Sequence, residues 1–191
     1  MSQELTKRIL SSLVLIPITL FFIIKGSYLF IFFLIICLSL ITYEWYMMSK
    51  KKPYSVFGYI FLFFSFFTIY KLRIDNDYWF VLFITILCVS TDIGGYVFGK
   101  IFKGPKLTKF SPNKTYAGMI GGYLLSIISS IILINFYLSE EIIFKWLIFA
   151  ILISTISQLG DIIISYFKRL SKIKDTGKII PGHGGLLDRI D

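Results

Sequence analysis

The sequence predicts an all-α, polytopic integral membrane protein of about six transmembrane helices, with its polar chemistry in cytoplasmic loops. Three observations predict it. Apolar residues make up 56% of the chain and mean hydropathy is +0.78. Charged residues are only 16%, against about 25% in soluble domains, so a soluble fold of this size could not hide the apolar surface. The apolar residues also fall into separate runs whose connections alternate between rich and poor in Lys and Arg. The two cysteines, Cys37 and Cys88, lie inside apolar runs and read as packing residues rather than as a disulfide or metal pair. A net charge of +9 would suit nucleic acid, but in a chain this oily it reports topology instead.

The six runs are approximately Ile9–Ile24, Tyr28–Trp45, Tyr54–Tyr70, Tyr78–Phe98, Tyr116–Leu138 and Ile142–Phe167. A spanning helix takes about 20 residues, range 17–25, and the last four runs meet this directly or by trimming. The first is short and carries Pro17, with Leu5 and Ser11–Ser12 available to extend it. A cleaved signal peptide is the rival reading there. No A-x-A-like site precedes the second run, so a retained helix is favoured.

With the N-terminus in the cytoplasm, the inner loops and tail hold 16 of the 20 Lys and Arg, and the outer side keeps Lys25, Lys71, Arg73 and Lys145. Shifting the register by one span breaks this positive-inside pattern. The expected location is therefore the cell inner (cytoplasmic) membrane, multi-pass, with both termini cytoplasmic. The basic loops would also attract anionic head groups, at about 1 kcal/mol per cation. With no repeat and no low-complexity linker, the chain reads as one membrane domain: N-terminal helices over 1–89 and a motif-bearing portion over 90–191. The connection Gly99–Thr115 is basic, and Gly104, Pro105 and Pro112 break any helix there.

Two acids sit where lipid tails belong: Asp92 in the fourth run and Asp161 in the sixth. An ionisable residue there costs at least about 2.5–3.5 kcal/mol on insertion scales and is by default a functional candidate. The bland readings are that Asp92 reaches the cytoplasmic interface and that Asp161 makes a structural ion pair with Lys168 or Arg169. Spacings of four and seven put Asp161, Ser165 and Lys168 on one helix face. Gly94, Gly95 and Gly160 allow a helix or a substrate to come close.

The last 27 residues, Ser165–Asp191, are polar, basic and rich in glycine. Pro181-Gly182-His183-Gly184-Gly185 is a turn whose amides can cradle phosphate oxygens; a loop histidine with ordinary hydrogen bonds is the alternative for His183. Asp188-Arg189-Ile190-Asp191 sets two carboxylates three apart around a guanidinium, and surface charge pairing is the alternative there. Cations for phosphate, carboxylates for metal and glycines for close approach are the ingredients of a nucleotide-phosphate site.

Taken together these residues resemble the signature of the phosphatidate cytidylyltransferases (CDP-diacylglycerol synthases). Ser165, Lys168-Arg169, Lys174-Asp175, Pro181-Gly182, His183-Gly184-Gly185, Asp188-Arg189 and Asp191 match it with every spacing kept, which chance does not produce in 27 residues. Thr91–Lys100 is similar to the family's Asp-x-Gly-Ala-Tyr-x-x-Gly stretch, with Gly95 where alanine is usual. Ser111–Gly118 is similar to Ser-Pro-x-Lys-Thr-x-Glu-Gly, with Ala117 in place of glutamate. Gln158–Asp161 matches Gln-x-Gly-Asp. The likeness covers roughly Ser90 to Asp191; the earlier helices match only in being hydrophobic.

The resemblance implies transfer of the cytidylyl group of CTP to phosphatidate, giving CDP-diacylglycerol and pyrophosphate in phospholipid biosynthesis. It implies Mg²⁺, with a second cation, K⁺ or Mg²⁺. The implied metal ligands are Asp161 and Asp188, with Asp92, Asp175 and Asp191 as further carboxylates. Lys168, Arg169, Lys174 and Arg189 would hold phosphates, joined by Lys114; Asp175 and His183 complete the catalytic set, and Ser165, Gly182, Gly184 and Gly185 would line the substrate. CTP, phosphatidate and membrane lipid are the implied partners, with a homodimer as an open alternative and no nucleic acid. Members of the family usually continue with a further membrane helix beyond the point where this sequence stops. The expectation is that Pro181–Asp191 has little to pack against and that Asp188 and Arg189 are mobile. Rival functions are a CTP-dependent polyprenol or phytol kinase, an inactive truncated relative, and a membrane transport protein with Asp92 and Asp161 along its path.

Overall fold

Among the described residues, six α-helices form where the apolar runs lie. The computed structural model describes residues 3–108, 111, 113–137, 143–182 and 184–190. The helices are α1 Gln3–Lys25, α2 Ser27–Ser49, α3 Ser55–Asp75, α4 Tyr78–Phe102, α5 Tyr116–Tyr137 and α6 Ile143–Leu170. Among the described residues the only β pairing is two isolated bridges, Lys106–Thr115 and Ile180–Gly184. Helices α2 to α6 each contain a stretch long and apolar enough to cross a membrane, while the apolar part of α1, Leu10–Lys25, is shorter. The fold is all-α and polytopic. Large side chains on α3, such as Phe57, Phe61, Phe63 and Phe64, are mostly exposed. An apolar surface this continuous suits lipid and not water. Helix α4 runs three residues beyond Gly99, into the connection expected to be loop throughout; the chain leaves it at Lys103, whose φ is 53°.

Contacts divide the chain into two units: residues 1–82 with 168–191, and residues 83–167. In the first, Ile23 and Phe30 pack with Val81 and Leu82. Arg73 donates from Nε to the Ile23 carbonyl at 2.9 Å and from Nη2 to the Ile24 carbonyl at 3.4 Å. These are carbonyls that the end of α1 leaves without a helical partner. The α2–α3 corner closes on Trp45, whose Nε1 donates to the Ser55 carbonyl at 2.9 Å. Its ring lies where a Cβ on Gly58 would be. Tyr54 Oη and Ser171 Oγ share a hydrogen bond of 2.7 Å, which fixes the residue just beyond α6 against this corner.

In the second unit α4 and α5 touch backbone to backbone. A Cβ on Gly94 would strike the Gly121 carbonyl, and one on Gly118 would lie 2.6 Å from the Gly95 carbonyl. Glycine is required at such crossings because membrane helices associate by close packing rather than by excluding water. Polar pairs stitch the same bundle: Thr91 Oγ1 to Ser154 Oγ at 3.0 Å, Ser90 to Ser129 at 2.7 Å and Tyr123 to Thr155 at 3.0 Å. Such intramembrane bonds contribute about 0.6 kcal/mol each on average.

Candidate active site

In the unit formed by residues 1–82 and 168–191, the C-terminal motif becomes a folded loop around Asp188. Helix α6 ends by bonding Ile173 N–H to the Lys168 carbonyl and Lys172 N–H to the Arg169 carbonyl, each at 3.0 Å. This is the Schellman arrangement, with Lys172 in the left-handed position at φ 59° where glycine is usual. The chain then folds back over itself. Ile180 and Gly184 exchange N–H···O bonds of 2.9 and 3.1 Å across the turn begun by Pro181-Gly182. Pro181 presets one corner, and Gly182 and Gly184, at φ 77° and 92°, take the corners that side chains resist.

Asp188 is the centre of the loop. Its Oδ2 accepts the backbone N–H of Thr176 at 2.8 Å and of Gly185 at 3.0 Å, and its Oδ1 accepts Lys168 Nζ at 2.8 Å. Only 6% of the Asp188 side chain and 14% of the Lys168 side chain are exposed. Burial pushes the carboxyl up, but the bonds from Lys168, Thr176 and Gly185 outweigh it and hold Asp188 below the usual aspartate range. Asp188 is thus ionised at neutral pH, with a lysine fixed beside it.

The loop does not lack packing, contrary to the expectation from the sequence. Ile180 and Leu187 are buried, and the Pro181 carbonyl accepts Ser11 Oγ at 3.3 Å. The reason is Glu44 of α2, a residue the sequence reading missed. It is 1% exposed and accepts Leu186 N–H at 2.9 Å, Leu187 N–H at 2.8 Å and the Thr176 hydroxyl at 3.1 Å. The signal was present: Glu44 is an acid inside an apolar run, open to the same insertion-cost argument as Asp92 and Asp161. Around this core Lys174, Asp175, Arg169 and Arg189 are exposed, and Gly184 lies against Asp175 and Asp188. His183 and Asp191 fall outside the described residues.

The other unit, residues 83–167, holds a second carboxylate–lysine pair. Thr115 caps α5 by accepting Gly118 N–H at 3.1 Å, and the residue before it, Lys114, is held by Leu107 N–H on its carbonyl at 2.8 Å. The Lys114 ammonium makes an ion pair with Asp161 of α6, a partner the sequence reading did not offer, its bland alternative having been Lys168 or Arg169. Its Nζ is shut off from solvent and, apart from that ion pair, finds no hydrogen-bond partner among the described residues. An ammonium carries three donors, and a buried one left partly unsatisfied is costly; an anionic oxygen would complete it. Ser165 is half-buried one turn beyond Asp161, and Asp92 is exposed on α4. Ala117 stands in the first turn of α5, where a glutamate would face the helix N-terminus.

Among the described residues no three His, Cys, Asp or Glu side chains gather into a metal cage. The candidate carboxylates stand singly, Asp161 beside Lys114 and Asp188 beside Lys168; one or two carboxylates, completed by waters and phosphates, are what Mg²⁺ takes.

The Cytidylyltransferase family model matches residues 6–76 and 55–191. The chain belongs to that family. The match begins at residue 6, so it takes in the N-terminal helices as well as the motifs. A phosphatidate cytidylyltransferase of Rickettsia conorii is 36% identical over 195 residues, covering 96% of this chain and 84% of its own length. The phosphatidate cytidylyltransferase of Rickettsia felis is 35% identical over 99% of this chain and 87% of its own length. That of Staphylococcus saprophyticus is 33% identical over 82% of this chain and 63% of its own length.

Proposed function

We propose that this member of the cytidylyltransferase family is a phosphatidate cytidylyltransferase. A phosphate oxygen of phosphatidate attacks the α-phosphorus of CTP, the bond from that phosphorus to the bridging oxygen of the β-phosphate breaks, and pyrophosphate leaves. The product is CDP-diacylglycerol. The observation that carries this reading is likeness to proteins of that name over nearly the whole chain. The nucleophile is already an anion, so no activating base is needed; the barrier is bringing one polyanion to another. Positioning and neutralisation of charge supply such catalysis.

The residues have the means. Lys114, with donors to spare, takes a phosphate oxygen and is oriented by Asp161. Lys168 is held by Asp188, and the exposed Arg169, Lys174 and Arg189 around that loop receive further phosphate charge. Asp161 and Asp188 are the carboxylates assigned to cations, with Asp92 as a further candidate. Mg²⁺, when bound, draws charge from the phosphate oxygens of CTP. A second cation, K⁺ or Mg²⁺, belongs to the same proposal.

The lysine and arginine distribution supports a cytoplasmic-membrane location with both termini inside, where CTP is. A reporter fused after Asp191 that works only outside the cytoplasm would refute this topology. The activity itself is tested by incubating membranes carrying the chain with CTP, phosphatidate and Mg²⁺. CDP-diacylglycerol should form there and not in membranes lacking the chain.

A further inference from the structure

Glu44 belongs to none of the motifs that carry the family resemblance, yet among the described residues its three side-chain hydrogen bonds go to the C-terminal loop, 132 to 143 residues away in sequence. Burying a carboxylate is unfavourable unless its oxygens are satisfied, and an apolar side chain of similar size would anchor a loop at lower cost. The pattern of donors points to a more specific task. Thr176 gives its N–H to Asp188 and its hydroxyl to Glu44. Gly185 N–H goes to Asp188, and the next two amides, of Leu186 and Leu187, go to Glu44. One short stretch of backbone is therefore strung between two carboxylates, and the place of Asp188 is fixed through Glu44. The fit is close on both sides: a Cβ on Gly177 would come within 2.7 Å of Glu44 Oε1, and one on Gly185 within 2.6 Å of Oε2.

We propose that Glu44 is a positioning residue of the transferase. It touches no substrate; it sets the register of Thr176 to Leu187 so that Asp188 holds Lys168 in working geometry for the phosphates. The proposal rests on the cytidylyl-transfer reading above.

The test uses the full chain in detergent or vesicles with Glu44→Gln. The amide keeps one acceptor but turns an NH₂ towards a backbone N–H that the carboxylate had accepted. Two quantities are read: steady-state kinetics with CTP and phosphatidate, and backbone amide hydrogen exchange. We expect kcat to fall at least tenfold with KM for phosphatidate within twofold. Exchange should rise at least tenfold over residues 176–187 while α2 and α3 keep their protection. Thr176→Val, which removes one donor of the three, should move both readouts the same way by a few-fold, and it decides the matter if Glu44→Gln fails to insert. Faster loop exchange with kcat unchanged overturns the proposal, as does a lost kcat with loop exchange unaltered. If the unaltered chain makes no CDP-diacylglycerol while loop exchange still depends on Glu44, the transferase reading is what fails, and the positioning role falls with it.

Discussion

Replacing Gly185 with alanine tests the loop around Asp188 with a single methyl group. Gly185 does not lie at positive φ, so alanine meets no backbone strain there. The cost is space alone. The new Cβ would press on Thr176 Oγ1 and lie 2.6 Å from Glu44 Oε2 and 2.8 Å from Glu44 Cδ. Ordinary contact starts at 3.4 Å, so clearing Glu44 Oε2 alone takes a retreat of 3.4 − 2.6 = 0.8 Å, and Thr176 Oγ1 demands more. Glu44 has little room to give way, since it is buried and its oxygens already hold three donors. Gly185 N–H reaches Asp188 at 3.0 Å, and a shift of that size carries it out of hydrogen-bond range. A lost bond to a charged group costs about 1.5–3 kcal/mol, and about 1 Å of misplacement costs ~10²-fold in rate. We expect kcat/KM with CTP and phosphatidate to fall ~10²-fold while the protein still inserts. Gly95→Ala is the control: its Cβ meets only the Gly118 carbonyl, at 3.8 Å. It should leave activity unchanged and stabilise α4 by about 0.5–1 kcal/mol. Gly185→Ala turning over at the unaltered rate would refute the argument that Asp188 depends on the exact seat of this loop.

Lys114→Met and Asp161→Asn should each cut turnover ~10²-fold or more, the size expected for one removed phosphate donor, with normal amounts in the membrane; near-normal rates in either would remove that pair from the site. Asp188→Asn should abolish turnover and also change the response to acid. The Asp188 carboxyl is held below its ordinary value, so its stabilisation is complete above about pH 4 and is lost as pH falls through the lowered value. Unfolding midpoints of the unaltered chain should be flat from pH 8 to 5 and drop below about 4, and the asparagine variant should lack that acid limb. Chelation of divalent cations should stop turnover and added Mg²⁺ should restore it; activity that survives chelation would contradict the assignment of Asp161 and Asp188 to cations.

Helices α2 to α6 were legible because each is a long apolar run, and bilayer thickness converts run length into structure. The motif residues were legible because Lys168 and Asp188 keep fixed spacings, and the structure joins them at 2.8 Å. What the sequence withheld is partnership through space. Helix periodicity offered Asp161 the cations on its own helix, Lys168 and Arg169, but the loop before α5 brings Lys114 to it instead. Glu44 sits at the end of an apolar run, and nothing local shows that its three donors come from a tail more than 130 residues on. The packing of that tail was hidden for the same reason: Ile179-Ile180 and Leu186-Leu187 look like short apolar pairs in a polar stretch until the loop closes. Lys172, at φ 59°, ends α6 where glycine would have signalled the stop.

The central claim is that the α-phosphate of CTP ends on the lipid and the other two phosphates leave together. Membranes carrying the chain should be given phosphatidate, Mg²⁺ and CTP labelled at either the α- or the γ-phosphate. The account predicts α-label in CDP-diacylglycerol and γ-label only in pyrophosphate. Label from the γ-phosphate in lipid would mean a CTP-dependent kinase, and no lipid label from either position would contradict the transferase altogether.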